Sequence, residues 1–415
     1  MGRLLITSIP HNRRTLYHLR YRIAVILLMF ALIQQQRLFL LSRQSLIAKY
    51  SPTDFNNHSE HLQPRLSRPD DEDSQFQDDL VANRAAWEIM GEGWEGKVFT
   101  YQDSVIKTFT PGRSPFRNCA PDTLIKWPTE IPASLRFGGL SRPVHVGDTS
   151  SRRDTNTTFD GFLPVKAYFM ASTTPSNPAE WHLVTPLLKG SNLNTLAKQL
   201  STSARPKTFR EVDALYRSAF NRLLASMDNL HDAGFCHDDI KPANIFVQDK
   251  SHWVVGDLGN LREVSHPYHT SKMWEDNNQL KDCRANDVVR ALQSYLKFVQ
   301  SSASNSDEFN AAFYEGGEPL IGLFWWTLAN AQSMSAEELR RRLVIDYAEA
   351  TYEAEVDDVF PKPAQLHTFM SLFSRRLAIK RAVNHALMTR MDERKARWFG
   401  MVWFFGVPDS DVCGV

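Results

Sequence analysis

Ten consecutive residues, His237-Asp238-Asp239-Ile240-Lys241-Pro242-Ala243-Asn244-Ile245-Phe246, gather carboxylates, an amine and an amide just ahead of the apolar stretch Ile245–Val247. Polar groups packed so closely need either solvent or a task. Asp239 is placed to accept the proton of an attacking hydroxyl. Lys241 can neutralise a phosphoryl group in transfer, and Asn244 can hold a magnesium ion. Downstream, Val254-Val255-Gly256-Asp257-Leu258-Gly259 is a short apolar strand that delivers one more carboxylate, and Asp257 is suited to a second magnesium between the β- and γ-phosphates of a nucleotide. Taken alone, Asp257 would pass for an ordinary aspartate at a turn.

Two further features lie upstream. Gly91-Glu92-Gly93-Trp94-Glu95-Gly96-Lys97-Val98 has the form G-x-G-x-x-G-x-V. Its glycines let the backbone approach a polyphosphate and turn N–H groups towards it. The G-x-G-x-x-G core also opens dinucleotide-binding folds, but there it runs into a helix. Here the residues after Gly96 read as strand, and Val98 would cap an adenine ring. A plain glycine-rich hairpin is the bland alternative. In Val105-Ile106-Lys107, a lysine sits in an apolar strand, where it either snorkels to solvent or pairs with the α- and β-phosphates.

The elements that must position these residues run from strands to helices. Val98–Tyr101 and Ser104–Phe109 read as a tight hairpin turning at Gln102-Asp103, and Phe162–Met170 and Trp181–Leu187 as two more strands around a turn rich in proline and asparagine, Pro175, Asn177 and Pro178. From residue 207 helices dominate. Phe209, Val212, Leu215, Ala219, Leu223, Met227 and Leu230 make one apolar stripe, and Val288, Val289, Leu292, Leu296 and Val299 another. Ser335 and Glu338 form a capping-box pattern. A sheet-rich portion followed by a helical one predicts an α+β fold.

In order and spacing, GEGWEGKV, VIK, HDDIKPANIF and GDLGN resemble the eukaryotic protein kinase family over residues 87–300. The resemblance implies a bilobal protein-kinase-like fold, with a small N-terminal β-sheet lobe at 81–188 and a larger, mainly α-helical lobe at 189–405. It implies ATP and Mg2+ as cofactors. Gly91, Gly93, Gly96 and Val98 would form the nucleotide loop. Lys107 would pair with a helix glutamate, for which Glu130 is the candidate ahead of Glu92 and Glu95, although Pro128 and Pro132 allow only a short helix there. Asp239, Lys241 and Lys107 would be catalytic, and Asn244 and Asp257 would hold metal. Thr185–Asn192 would link the lobes, and Asp287 would open the central helix and brace the catalytic loop.

Three departures bear on function. Asp238 stands where the family usually has the arginine that grips a phosphorylated activation segment, so switching of that kind is not expected. Leu258 replaces the usual phenylalanine. The stretch from Asp257 to Asp287 is short and lacks Ala-Pro-Glu, which points to a shortened or rebuilt platform for the acceptor. The leading reading is a divergent serine/threonine-type protein kinase, favoured by Lys241. A small-molecule kinase of the same fold is the second reading. A pseudokinase acting as a binding protein is the third, opposed by the presence of Lys107, Asp239, Asn244 and Asp257.

The rest of the chain bears on location and partners. Of 415 residues, 42% are hydrophobic and 23% charged, enough for a sizeable core, and a formal net charge of +1 gives no whole-surface attraction to nucleic acid. Residues 1–50 are basic and contain the apolar run Ile23–Ile33, then Gln34-Gln35-Gln36 and Leu38–Leu41. Eleven apolar residues fall short of the roughly 20 that span a bilayer, a length that extension through the glutamines just reaches. A single-pass signal anchor, and so a membrane location, is the leading reading; a mitochondrial presequence and an amphipathic or disordered extension are the alternatives, which keeps mitochondrial and cytoplasmic locations open. Residues 51–80, with the acidic run Asp70–Asp73, read as a solvated linker, and 406–415 as a tail. Cys119, Cys236, Cys283 and Cys413 form no C-x-x-C pair, and four reduced, mostly buried thiols are expected. Asn57-His58-Ser59 and Asn156-Thr157-Thr158 are glycosylation triplets should the domain face a lumen.

Overall fold

The computed structural model describes residues 12–55, 71–93, 95–110, 116–120, 124–141, 161–172, 178–315, 318–349, 374–389, 391–409 and 413. Trp94, Pro64, Pro69, Asp70, Pro175, Asn177 and both glycosylation triplets lie outside them.

Five antiparallel strands form the main sheet in the order β1-β2-β3-β7-β6: β1 Glu88–Glu92, β2 Gly96–Tyr101, β3 Ser104–Phe109, β6 Ala167–Ser172 and β7 Ala179–Pro186. The β2–β3 hairpin turns where expected, with Gln102 in the left-handed region at φ 52°. The strand expected from Phe162 begins later. Phe162 makes only an isolated bridge to Val255, and pairing with β7 starts at Ala167. Two-residue strands β4 (Asn118–Cys119) and β5 (Lys126–Trp127) precede the short helix α3 (Glu130–Phe137).

Alternation along β3 decides which side chains meet. Ile106 faces a cluster with Trp87, Phe169 and Val184. Phe109, two residues after Lys107 and so on its face, packs with Ile131 and Leu135 of α3. The first cluster is closed by Leu80, 1% exposed, from a helix at Asp71–Ala82. This corrects the linker reading of that stretch. Acidic composition hid two apolar anchors, Phe76 and Leu80, and burying one such side chain is worth about 2 kcal/mol.

The remainder is largely helical. Asn192 caps α4 (Leu193–Ser201), and a full Thr208–Glu211 capping box opens α5 (Phe209–Asp232). The α5 stripe is buried except at Leu215, which is 38% exposed; Tyr216 takes its place inward. After α5 come β8 (Phe235–Cys236), the β9–β10 hairpin (Ile245–Val247, Trp253–Val255) and β11 (Arg262–Glu263), which pairs with β8. The segment from Leu258 to Asp282 continues through a turn at Pro267–Thr270 and helix α6 (Lys272–Asp276). Helix α7 (Cys283–Ser302) carries the second stripe, buried at all five positions. Only half of the Ser335–Glu338 box forms. Glu338 N–H donates to Ser335 Oγ (3.1 Å), while the Glu338 carboxylate is taken by Arg341 and Arg342.

Helix α1 (Asn12–Lys49) is continuous through the three glutamines. Its 33 residues Tyr17–Lys49 are long and apolar enough to cross a membrane, as an anchor or a signal sequence would be. Its last turns are different. Ser45 and Leu46 are buried, and Leu46 packs with Tyr268, Met273, Trp274 and Ala396.

The thiol expectation is overturned. Cys119 is bonded to Cys413, and Cys236 to Cys283, and no described cysteine is free. Each partner lies far along the chain, so spacing carried no sign of the pairing.

Candidate functional site

The polar loop of residues 237–244 follows α5 and β8 and is held from below by one carboxylate. Asp287, fully buried near the start of α7, accepts the N–H of His237 (2.6 Å) and of Asp238 (3.1 Å), and contacts His231 Nε2 at 3.3 Å. Two backbone amides on one acceptor fix the loop's direction. Asp239 then emerges half-buried beside Lys241, whose Nζ lies 2.6 Å from its Oδ2. Asn244 donates its Nδ2 to Asp239 O (3.1 Å) and Oδ2 (3.3 Å), which reserves its Oδ1 as an acceptor. Its own carbonyl accepts the N–H of Gly256 (2.9 Å), tying this loop to the one that carries Asp257.

Asp257 and Lys107 form a second charged group. Lys107 Nζ lies 3.0 Å from Asp257 Oδ1 and also donates to Glu130 Oε2. Glu130 is the first residue of α3; Pro132 falls in the first turn, where a missing N–H costs no helical bond, so the short helix forms despite it. Burial pushes the Glu130 carboxyl up to about 7 even against the pull of Lys107. Lys107 pulls Asp257 the other way, down to about 2. Burial opposes the charge on Lys107, but Asp257 and Glu130 outweigh it and hold the amine well above its ordinary value. Asp257 adopts φ 56°, a conformation that costs energy in a non-glycine residue and recurs at functional sites.

The glycine hairpin separates two reasons for glycine. A Cβ on Gly96 would sit 1.7 Å from Thr108 O, so strand pairing itself demands glycine there. At Gly91 a Cβ would meet nothing within 4 Å, and at Gly93 only Gly96 O at 3.9 Å. Internal packing does not require glycine at those two positions, and the open space suits a ligand that approaches the backbone. Val98 pairs across the ladder with Lys107.

The donor set fits a magnesium nucleotide. No three His, Cys, Asp or Glu side chains among the described residues gather into a metal cage. Magnesium needs none, because it keeps water and takes one or two protein oxygens plus phosphate. Asp257 and Asn244 offer two.

Asp238, in place of the expected arginine, belongs to a different cluster. It is 3% exposed, at φ 64°, and its carboxylate meets Arg262 Nη1 and His269 Nε2, each at 3.0 Å. Arg290 Nη1 donates to its carbonyl (2.7 Å). Burial pushes the Asp238 carboxyl up, and His269 and Arg262 overcome that and hold it low. Sequence reading missed Arg262 and its neighbour Arg117. Neither carried a local signal: Arg262 is followed at once by Glu263, and Arg117 stands between Phe116 and Asn118.

Comparison with known proteins follows the same outline. The protein kinase domain family model matches residues 167–290, from β6 into α7. The chain is 25% identical over 241 residues to serine/threonine-protein kinase UCN of Arabidopsis thaliana, an alignment covering 55% of this chain and 52% of that protein. It is 38% identical over 50 residues to the interferon-induced, double-stranded RNA-activated protein kinase of Rattus norvegicus, covering 12% of this chain and 10% of that one. The chain thus spans about half the length of the Arabidopsis relative and a tenth of the rat one.

Proposed function

Since the chain belongs to the protein-kinase family, we propose that it is a divergent serine/threonine-type protein kinase that transfers the γ-phosphoryl group of ATP to a hydroxyl. The observation that carries this reading is the pairing of Lys107 with Glu130 and Asp257, tied through the Gly256–Asn244 hydrogen bond to the loop in which Lys241 and Asn244 contact Asp239. The sheet with α3 is read as one lobe and the helical remainder as the other, with the nucleotide between them.

In this reading Asp239 accepts the proton of the attacking hydroxyl. Lys241, in contact with it, steadies the carboxylate and then the transferred phosphoryl group. Lys107, kept charged by Asp257 and Glu130, fixes the α- and β-phosphates. Bound magnesium would be held by Asn244 and Asp257 and would neutralise charge on the phosphate oxygens. The chain's own contribution is chiefly positioning. A protein hydroxyl is the first choice of acceptor. A small hydroxyl compound is the second, favoured because the short segment from Leu258 to Asp282 is packed against α1 and Ala396.

We further infer that α1 anchors the chain in a membrane with the catalytic part on an oxidising, lumenal side. Two disulfides fit such a compartment. The arginines before Ile23 fit a cytosolic N-terminus. Trp398, Trp403, Phe404 and Phe405 are exposed, and Phe405 meets Phe39 of α1, as aromatic residues do at a membrane boundary.

The test is transfer of labelled γ-phosphate from magnesium-ATP by the full chain to peptide and small hydroxyl acceptors. Lys107→Met should abolish most of the signal. Equal turnover by that variant removes the nucleotide-site assignment.

A further inference from the structure

Lys49 is the last residue of α1, so its carbonyl lacks a helical partner and carries the negative end of the helix dipole. Two buried guanidinium groups donate to that one oxygen, Arg262 Nη2 at 3.1 Å and Arg117 Nη1 at 3.4 Å. Each arginine also holds part of the machinery described above. Arg117 Nη2 donates to Gly259 O (2.6 Å), two residues past Asp257, and Arg262 Nη1 donates to Asn260 O (2.6 Å) as well as pairing with Asp238. Burying two cations side by side is unfavourable. Burial, with Arg262 next to it, pushes Arg117 down to about 9. Their shared acceptors are what make the arrangement tolerable.

The residues that follow make a second set of ties. Ser51 Oγ meets His266 Nε2 at 3.1 Å, and Thr53 Oγ1 donates to Leu261 O (3.0 Å). Thr53 O accepts Asn118 Nδ2 (2.5 Å), and Asn118 Oδ1 accepts the hydroxyl of Thr129 (2.8 Å), the residue before Glu130. Arg136, near the end of α3, donates to Phe55 O (2.8 Å), and the Phe55 ring stacks on Phe235 with centroids 5.6 Å apart. One extended stretch therefore grips α3 at both ends and the segment after Asp257 in the middle.

We propose that Lys49–Phe55 is an intramolecular positioning strap. It holds Glu130 and the Asp257–Glu263 segment in the relation that the Lys107 ion pairs require. In family members with arginine at position 238, a phosphorylated activation segment organises this region. Here the position carries Asp238, the cations stand on Arg117 and Arg262, and a helix-end carbonyl takes the place of the phosphate. The nucleotide site is thereby coupled to the anchor helix in the same chain. The proposal rests on the kinase reading of the cleft, and its test is built so that the two can fail separately.

The test uses the full chain in detergent or bilayer. Thr53→Val keeps the shape and removes the donor to Leu261. Thr53→Ser restores it, and Asn118→Leu cuts the tie to Thr129. KM for ATP and kcat are measured together with amide hydrogen exchange. Thr53→Val and Asn118→Leu should raise KM for ATP about fivefold, the size of one hydrogen bond. They should also speed exchange within 130–137 and 257–263, and Thr53→Ser should return both to wild type. Unchanged KM and unchanged exchange in those segments overturn the strap. So does a loss of kcat through a smaller folded fraction alone, with KM and exchange in the folded protein unmoved. If the wild-type chain transfers no phosphate, the kinase reading fails, and exchange alone decides the strap: faster exchange confined to the two segments upholds it, unchanged exchange overturns it.

Discussion

Asp238 and Asp239 are neighbours in sequence and opposites in setting. The Asp239 side chain is 22% exposed and its partner Lys241 35%, so the pair stays open to solvent. The Asp238 side chain is 1% exposed and that of Arg262 2%, with His269 and Arg290 sealing the rest. Both clusters balance charge. The open one leaves room for groups that change during a reaction, and the closed one leaves none. Accessibility, more than the presence of ion pairs, separates the proposed base from a group that holds a loop in place.

Adjacent substitutions should divide along that line. Asp239→Asn is expected to lower kcat by about 10²–10⁴-fold, the range for losing a general base, with nucleotide binding and unfolding midpoint nearly unchanged. Retained activity in that variant would remove Asp239 from the base role. Asp238→Asn should do the converse. It leaves Arg262 buried with a neutral neighbour, a loss of about 3–5 kcal/mol readable by urea unfolding. If urea midpoints show Asp238→Asn to be as stable as wild type, the closed cluster does not hold the loop.

Reduction probes the same loop covalently. Cys236 precedes His237, and Cys283 opens α7, with 47 residues of separation between them. Chain entropy assigns a closure of that size about 4 kcal/mol. Dithiothreitol should lower stability and loosen the loop, whereas four titratable thiols in the native chain would refute both the pairing and the lumenal assignment.

The smallest expected effect is in pH. Glu130 is raised from an ordinary 4.5 to about 7. The folded chain therefore keeps a proton that the unfolded chain releases near 4.5, so this group's contribution to stability falls as pH rises from 4.5 to 7. Activity should move the other way, rising through pH 7 as the carboxylate forms and completes its pair with Lys107. Glu130→Gln should erase that limb of the profile. A limb that survives the substitution belongs to another group.

Much of the candidate site was legible along the chain because most of its residues are close together in sequence. Residues 237–244 lie within one loop, so type and spacing were enough to propose Asp239, Lys241 and Asn244 together. The β2–β3 hairpin put Lys107 on a strand face by alternation alone. Glu130 could be proposed but not paired from sequence. Whether a helix flanked by prolines would form and reach Lys107 depended on Ile131 and Leu135 packing under the sheet. Leu215 yielded to Tyr216, and the half-formed box at Ser335 gave Glu338 to two arginines, because tertiary neighbours outbid local pattern.

Sequence by itself determined the order of elements, the choice of groups proposed to react and the substitution at position 238, since these depend on residues close along the chain. Tertiary structure alone decided that Asp238 finds Arg262, that Cys119 meets Cys413 and Cys236 meets Cys283, and that the end of α1 lies over Arg117 and Arg262. Those contacts join distant residues through packing surfaces, and no periodicity or spacing in a single chain encodes which surfaces will meet.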